Sequence, residues 1–167
     1  MKDEKLQTLT ACAVLIAVQV VLSRFCSINA WNLKIGLGFL PVMLAGVLFG
    51  PIYGAAVGAL SDFIGAVLFP IGAYFPGFTL SLALTGAVFG VLVRGDKAKT
   101  WRIALAVGVD QLVLSLLINS LWISVLYGSP YVPLLGTRIV QCAVMLPVEF
   151  ILTGAAVRLL PRLRKQG

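Results

Sequence analysis

No histidine occurs anywhere in the chain, and its three cysteines, Cys12, Cys26 and Cys142, are scattered without the paired spacing of a zinc ligand set. Metal chemistry and a disulfide scaffold are therefore not expected, and no cofactor is called for. Charge is scarce too, with Asp, Glu, Lys and Arg making up 11% of the residues. No polar stretch exceeds a short loop, so there is no room for a large soluble domain, and residues 1–167 read as one unit. The chain also lacks a glycine-rich phosphate loop of the nucleotide-binding type, and no serine or cysteine stands beside an evident base. Neither ATP hydrolysis nor covalent catalysis is expected of it. The first apolar run follows a charged segment but lacks a small-residue cleavage pattern, so it reads as a retained helix rather than a removed signal.

What is abundant is apolar surface: 60% of the residues are hydrophobic and the mean hydropathy is +1.03, far outside the range of an ordinary soluble domain. The chain is read as an integral membrane protein. Its net charge of +7 would raise the question of nucleic acid in a soluble protein. Here the excess of Lys and Arg on cytoplasmic loops accounts for it better, so the expected surroundings are a bilayer and not a nucleic acid.

Taken in order, residues 6–25 are long enough to cross a hydrocarbon core of about 30 Å. Ala13 and Ala17 stand four apart there and form a small-residue ridge, suited to a partner helix or to packing within the bundle. Residues 23–35, with Arg24, Asn29, Trp31, Asn32 and Lys34, read as an interfacial loop. Residues 36–68 would make a helix of roughly 50 Å, too long even when tilted. The break falls at Gly50-Pro51, a glycine ending one helix and a proline opening the next. Gly46, Gly50, Gly54 and Gly58 recur every fourth residue, which lets two short helices approach closely.

Residues 69–78, Phe-Pro-Ile-Gly-Ala-Tyr-Phe-Pro-Gly-Phe, cannot continue a helix. They read either as an interfacial aromatic belt or as the wall of a ligand cavity formed by Phe69, Gly72, Ala73, Tyr74 and Phe75. The fourth span covers 78–93, a charged loop 94–102, the fifth span 101–127, a proline and tyrosine loop 127–133, and the sixth span 134–160 with a bend at Pro147; a basic tail follows. The expected fold class is an all-α integral membrane protein, a six-transmembrane-helix bundle with extracellular loops closing a ligand pocket. Of the thirteen Lys and Arg, only Arg24, Lys34 and Arg138 fall on one face, leaving ten on the other, which places both termini in the cytoplasm of a plasma-membrane protein.

Those three outer cations suit a ligand with carboxylates, Arg through paired charge-assisted hydrogen bonds; the other reading is that they snorkel to lipid headgroups. In the fifth span Gln111, Ser115, Asn119 and Trp122 share one helical face. Trp122 would stack on a flat ring and Asn119 would bond its edge, with Gln111 and Ser115 acting as interhelical glue. Three acids sit within spans. Asp62, in the outer half, could accept the paired donors of a guanidine-like ring edge or make a structural ion pair, whereas Asp110 and Glu149, in the inner half, would anchor the bundle or meet a partner.

Several strings together carry a resemblance: Ser61 to Gly65, Phe69 to Gly77 leading into Phe78 to Gly86, Asn119 to Trp122, Arg138 to Gln141, and Met145 to Glu149. They are similar to the substrate-binding S components of energy-coupling factor vitamin transporters, most closely the folate-specific member, across essentially the whole chain. The resemblance implies a bundle that captures folate from outside and closes over it with the loops after helices one, three and five. It also implies partners, a membrane coupling subunit facing Ala13 and Ala17 and two ATP-binding cassette ATPases whose cycle drives the subunit to topple. Two alternatives stand beside it: an S component for another vitamin, such as thiamine or a queuosine precursor, and a small membrane enzyme or assembly protein without a soluble ligand.

Overall fold

The computed structural model describes residues 2–30, 33–94 and 99–164. Its six helices are α1 (Lys2–Arg24), α2 (Phe39–Phe49), α3 (Pro51–Leu68), α4 (Pro76–Leu92), α5 (Thr100–Tyr127) and α6 (Tyr131–Arg164). Strands β1 (Ser27–Ala30) and β2 (Leu33–Gly36) form an antiparallel hairpin between α1 and α2. The bundle is the all-helical membrane fold expected. Four stretches, Glu4–Arg24, Pro51–Leu68, Thr100–Tyr127 and Tyr131–Leu159, are long and apolar enough to cross a membrane. The 11 residues of α2 and 17 of α4 reach only about 16 and 25 Å at 1.5 Å per residue, so they depend on their neighbours to bridge the core.

The α2–α3 break lies at Gly50-Pro51 for the reason its sequence suggests. Gly50 adopts φ 112°, open to glycine and strained for other residues, and Pro51 takes the first helical position, where no amide donor is needed. The Gly50 amide donates to the Gly46 carbonyl at 2.9 Å, which closes the end of α2. The glycine repeat faces α4 as well as the neighbouring turn: a Cβ on Gly46, Gly54, Gly58, Gly86 or Gly90 would come within 3 Å of the opposing backbone. The spaced glycines of α2 and α3 thus interlock with Gly86 and Gly90 of α4, and three helices meet backbone to backbone. Without a hydrophobic drive inside lipid, contact of this kind is the main source of cohesion.

Three segments depart from expectation. Much of the stretch read as the loop 23–35 is a hairpin, Asn29 opposite Lys34 and Ser27 opposite Gly36, whose strands satisfy each other's backbone groups; Trp31 and Asn32 lie outside the described residues. The 127–133 loop shrinks to 128–130, since Gly128 ends α5 in the left-handed region at φ 63° and Tyr131 to Pro133 already form the first turn of α6, where proline is tolerated. At its far end α6 continues past Pro161 to Arg164, so what reads as a basic tail is helical.

Apolar packing fills the end of the bundle that carries the Gly50 turn. Met43, Phe89, Val93, Ala106 and Val107, from α2, α4 and α5, are essentially inaccessible and meet Met145 and Val157 of α6. A second cluster, Cys12, Val42, Ala45 and Val57, ties α1 to α2 and α3. Outward faces are apolar and open, among them Val14, Val18 and Val21 on α1, as a lipid-facing surface requires. The opposite end of the bundle, roofed by the loop of residues 69–75, encloses a chamber.

Candidate functional site

The chamber has a volume of about 550 Å³, within the range that holds a whole small ligand. Its rim begins at Arg24 in the last turn of α1, where the helix dipole favours a cation. The guanidinium lies across Gly65 of α3, where a Cβ would sit 2.9 Å from Nε. Arg24 Nη2 is 4.0 Å from Asp62 Oδ1, an ion pair too long for a hydrogen bond, and Thr79 Oγ1 donates to Asp62 Oδ2 at 2.7 Å. The hydroxyls of Thr79 and Tyr74 are 3.2 Å apart, so α3, α4 and the loop are linked through one polar chain.

The two adjacent loop aromatics both reach the chamber, from different sides. Tyr74 stands edge-on to Phe63 of α3 at 5.9 Å, and Phe75 lies against Trp122 of α5 at 5.5 Å and Phe78 at 6.1 Å. Gly72, near the Tyr127 hydroxyl, and Ala73 complete the roof. Trp122 is one layer back: its indole N–H donates to Ser81 Oγ at 3.1 Å while its ring supports Phe75, and it does not line the chamber. Phe69 is likewise outside the lining, packed edge-on to Phe25 at 5.4 Å. Lys34 is placed only by its backbone in β2, and its side chain lies outside the described residues.

On α5, residues Val109–Ile118 are wound as a π-helix, with hydrogen bonds stepping five residues instead of four. Asn119 lines the chamber as its spacing suggests, but so do Asp110, Gln111 and Ser115, expected to serve only as inner-half anchors or interhelical glue. Arg138 and Gln141 of α6 close the wall opposite, and Arg138 Nη2 donates to the Ser115 carbonyl at 3.0 Å. At the floor Thr85 Oγ1 donates to Asp110 Oδ1, and Gln111 Nε2 donates to Glu149 Oε2 at 2.7 Å. Glu149 itself is fully buried.

Helical spacing put Gln111 and Ser115 on one face with Asn119, as the lining has them, but gave them a structural role; for Asp110 and Glu149 the signal was the cost of placing acids within spans. Gln19 of α1, buried and lining the chamber, went unremarked as a lone amide in an apolar run. Four lining atoms, Gln19 Oε1, Arg24 Nε, Gln111 Oε1 and Asn119 Oδ1, are buried without a hydrogen-bond partner among the described residues. Each such group carries a penalty of about 1–3 kcal/mol that a polar ligand would relieve.

A helical membrane bundle enclosing a chamber lined by cations, acids and aromatics defines a subunit that captures a polar small molecule. The chain belongs to the substrate-specific components of ECF transporters, whose family model matches residues 7–157. It is similar to the folate transporter FolT of Clostridium novyi (strain NT), 38% identical over 160 residues, spanning 96% of this chain and 93% of that protein. A folate transporter FolT of Leuconostoc mesenteroides is 27% identical over 143 residues, 82% of this chain and 77% of its own. Among solved structures, FolT bound with folic acid matches at TM-score 0.86 and 32% identity, covering 91% of this chain and 94% of that one. An S component for biotin from an ECF-type ABC transporter shares the fold, at TM-score 0.69 and 21% identity, covering 100% of this chain and 95% of that one.

Proposed function

We propose that this chain is the folate-binding subunit of an ECF-type importer, taking folate from outside the cell. The observation that carries the reading is the chamber itself, which sets a buried arginine, two acids and an aromatic roof around one space, in a fold close to that of a folate-bound protein. Folate brings a flat ring with N–H donors at one end and carboxylates at the other. Arg24 and Arg138 serve the anionic end or polar ring atoms, Tyr74 and Phe75 cover the aromatic body, and Asp62 and Asn119 join the polar wall, with Gly72 and Ala73 in the lid. Lys34, on the hairpin beside the mouth, adds a cation for the carboxylates. Trp122 and Phe69 hold the lid and mouth in shape. Another vitamin is less well served: thiamine, as a cation, gains nothing from two arginines.

Transport itself requires partners: a membrane coupling subunit and a pair of ATP-binding cassette ATPases that hydrolyse ATP on behalf of this subunit. Ala13 and Ala17 are exposed on the outer face of α1, where a helix of the coupling subunit can approach closely. Both termini face the cytoplasm of a bacterial cell, in line with the ten cations gathered on that face. Titration of the detergent-purified chain with folate, read by tryptophan fluorescence or calorimetry, tests the reading. Saturable binding is expected, weakened roughly ten- to hundredfold by Arg24→Ala through loss of a charged hydrogen-bond donor. A wild-type chain that fails to bind folate refutes it.

A further inference from the structure

We infer that a polar layer beneath the chamber holds a sodium ion, with Glu149, Gln111 and Thr153 as its oxygen ligands. Three helices build the layer at one level. Phe89 of α4, Val107 of α5 and Val157 of α6 belong to the apolar cluster at the Gly50 end of the bundle. One turn nearer the chamber stand Thr85, Gln111 and Thr153, and Glu149 lies a turn further along α6. Side-chain bonds link these positions: Gln111 Nε2 donates to Glu149 Oε2 at 2.7 Å, and Thr85 Oγ1 donates to Asp110, the neighbour of Gln111. Gln111 lines the chamber, whereas Glu149 and Thr153 stand behind that lining.

Three oxygens of this layer, Glu149 Oε1, Gln111 Oε1 and Thr153 Oγ1, are buried without a hydrogen-bond partner among the described residues. Their side chains are 0%, 5% and 0% exposed. The bond between Gln111 and Glu149 holds the first two in one space, and Thr153, four residues on from Glu149, adds its hydroxyl from the same face of α6. A buried carboxylate needs a counter-charge, because charges in an interior are paired or coordinate metal. The basic residues of these helices are placed elsewhere. Arg138 and Arg158 lie roughly 16 and 14 Å along α6 from Glu149, the first bonded to the Ser115 carbonyl at 3.0 Å and the second exposed, while Arg102 of α5 stacks on Trp101. Water would satisfy the three oxygens and leave the charge. An alkali cation answers both needs and takes hard oxygen ligands, here a carboxylate, an amide carbonyl and a hydroxyl, without histidine or cysteine. Complete enclosure favours sodium, the smaller of the common alkali ions. The π-helical winding of α5 begins at Val109, at this same level, and such departures are frequent at functional sites.

The test needs no folate. The full chain in detergent is unfolded thermally at constant ionic strength while sodium chloride replaces choline chloride. The midpoint should rise saturably with sodium, by roughly 3–6 °C when the ion reaches about ten times its dissociation constant. Glu149→Gln, which keeps the shape of the side chain and removes its charge, should abolish the rise. Thr153→Val, which serves where Glu149→Gln does not yield folded protein, should raise the half-saturating sodium concentration roughly tenfold. A wild-type midpoint indifferent to sodium means that water or a proton fills the layer and overturns the inference, as does a rise that persists undiminished in Glu149→Gln or Thr153→Val. Folate binding by the same chain stands or falls by its own titration.

Discussion

Adding one methyl group at the seam between α3 and α4 should be enough to loosen the bundle. In Gly54→Ala the new Cβ would lie 2.5 Å from the Gly86 carbonyl oxygen and 2.7 Å from the Gly46 Cα, both of them backbone atoms that cannot swing aside. Ordinary contact begins about 1 Å further out, so the helices must separate. Overpacking of this kind costs about 1–3 kcal/mol, partly offset by alanine's better helix propensity of about 1 kcal/mol. For a chain of this length a net loss of up to 2 kcal/mol corresponds to a fall of up to roughly 8 °C in the unfolding midpoint. Gly154→Ala on α6 is the control, because a Cβ there meets nothing within 4 Å and only the propensity gain remains. Thermal unfolding in detergent, followed by tryptophan fluorescence or by aggregation, should order the variants as Gly154→Ala at or above wild type and Gly54→Ala below it. Equal midpoints for all three proteins would refute the claim that backbone contact at this seam holds the helices. Ligand affinity should fall with stability in Gly54→Ala, since Asp62 and Thr79, whose side chains join across the same two helices, define the rim.

Three further outcomes are expected. Trp122→Phe keeps a ring beside Phe75 but loses the N–H donated to Ser81, so folate affinity should drop about fivefold, near 1 kcal/mol; unchanged affinity in a calorimetric titration would show that the lid does not depend on that bond. Ala13→Leu with Ala17→Leu enlarges an exposed face of α1, so folate binding by the isolated chain should persist while uptake by cells carrying the coupling partners is lost, which paired binding and transport assays will read. Cys26 is exposed beside the hairpin whereas Cys12 and Cys142 are buried; a membrane-impermeant maleimide added to intact cells should label Cys26 alone, and labelling only after lysis would reverse the assigned topology.

Breaks and turns were the most legible part of the fold. Gly50-Pro51 and Phe69 to Pro76 interrupt the helices because proline and glycine act locally, through an absent donor and an available φ. Arg24, Asp62, Tyr74, Phe75, Asn119 and Arg138 were also brought to one chamber, as charges and aromatics at the outer ends of spans suggest. The floor was harder to read. Gln111 and Ser115 share a face with Asn119 at the helical period but read as interhelical glue, Asp110 falls one residue off that face, and Trp122, placed on it, bonds Ser81 instead of lining the chamber. The hairpin at 27–36 escaped notice for a different reason: its strands are four residues each, too short for an alternating pattern to stand out.

The glycine seam also bears on how such a protein can change. Because α2, α3 and α4 meet at five positions defined by having no side chain, the frame is fixed most tightly there. Loop 69–75, α5 and α6 supply most of the chamber's lining and lie outside that frame. Substitutions there can remodel much of the cavity wall without touching the seam, whereas Asp62 and Thr85 tie the rest of the lining to it. A specificity change is therefore best sought on α5 and α6, and a stability change along the seam.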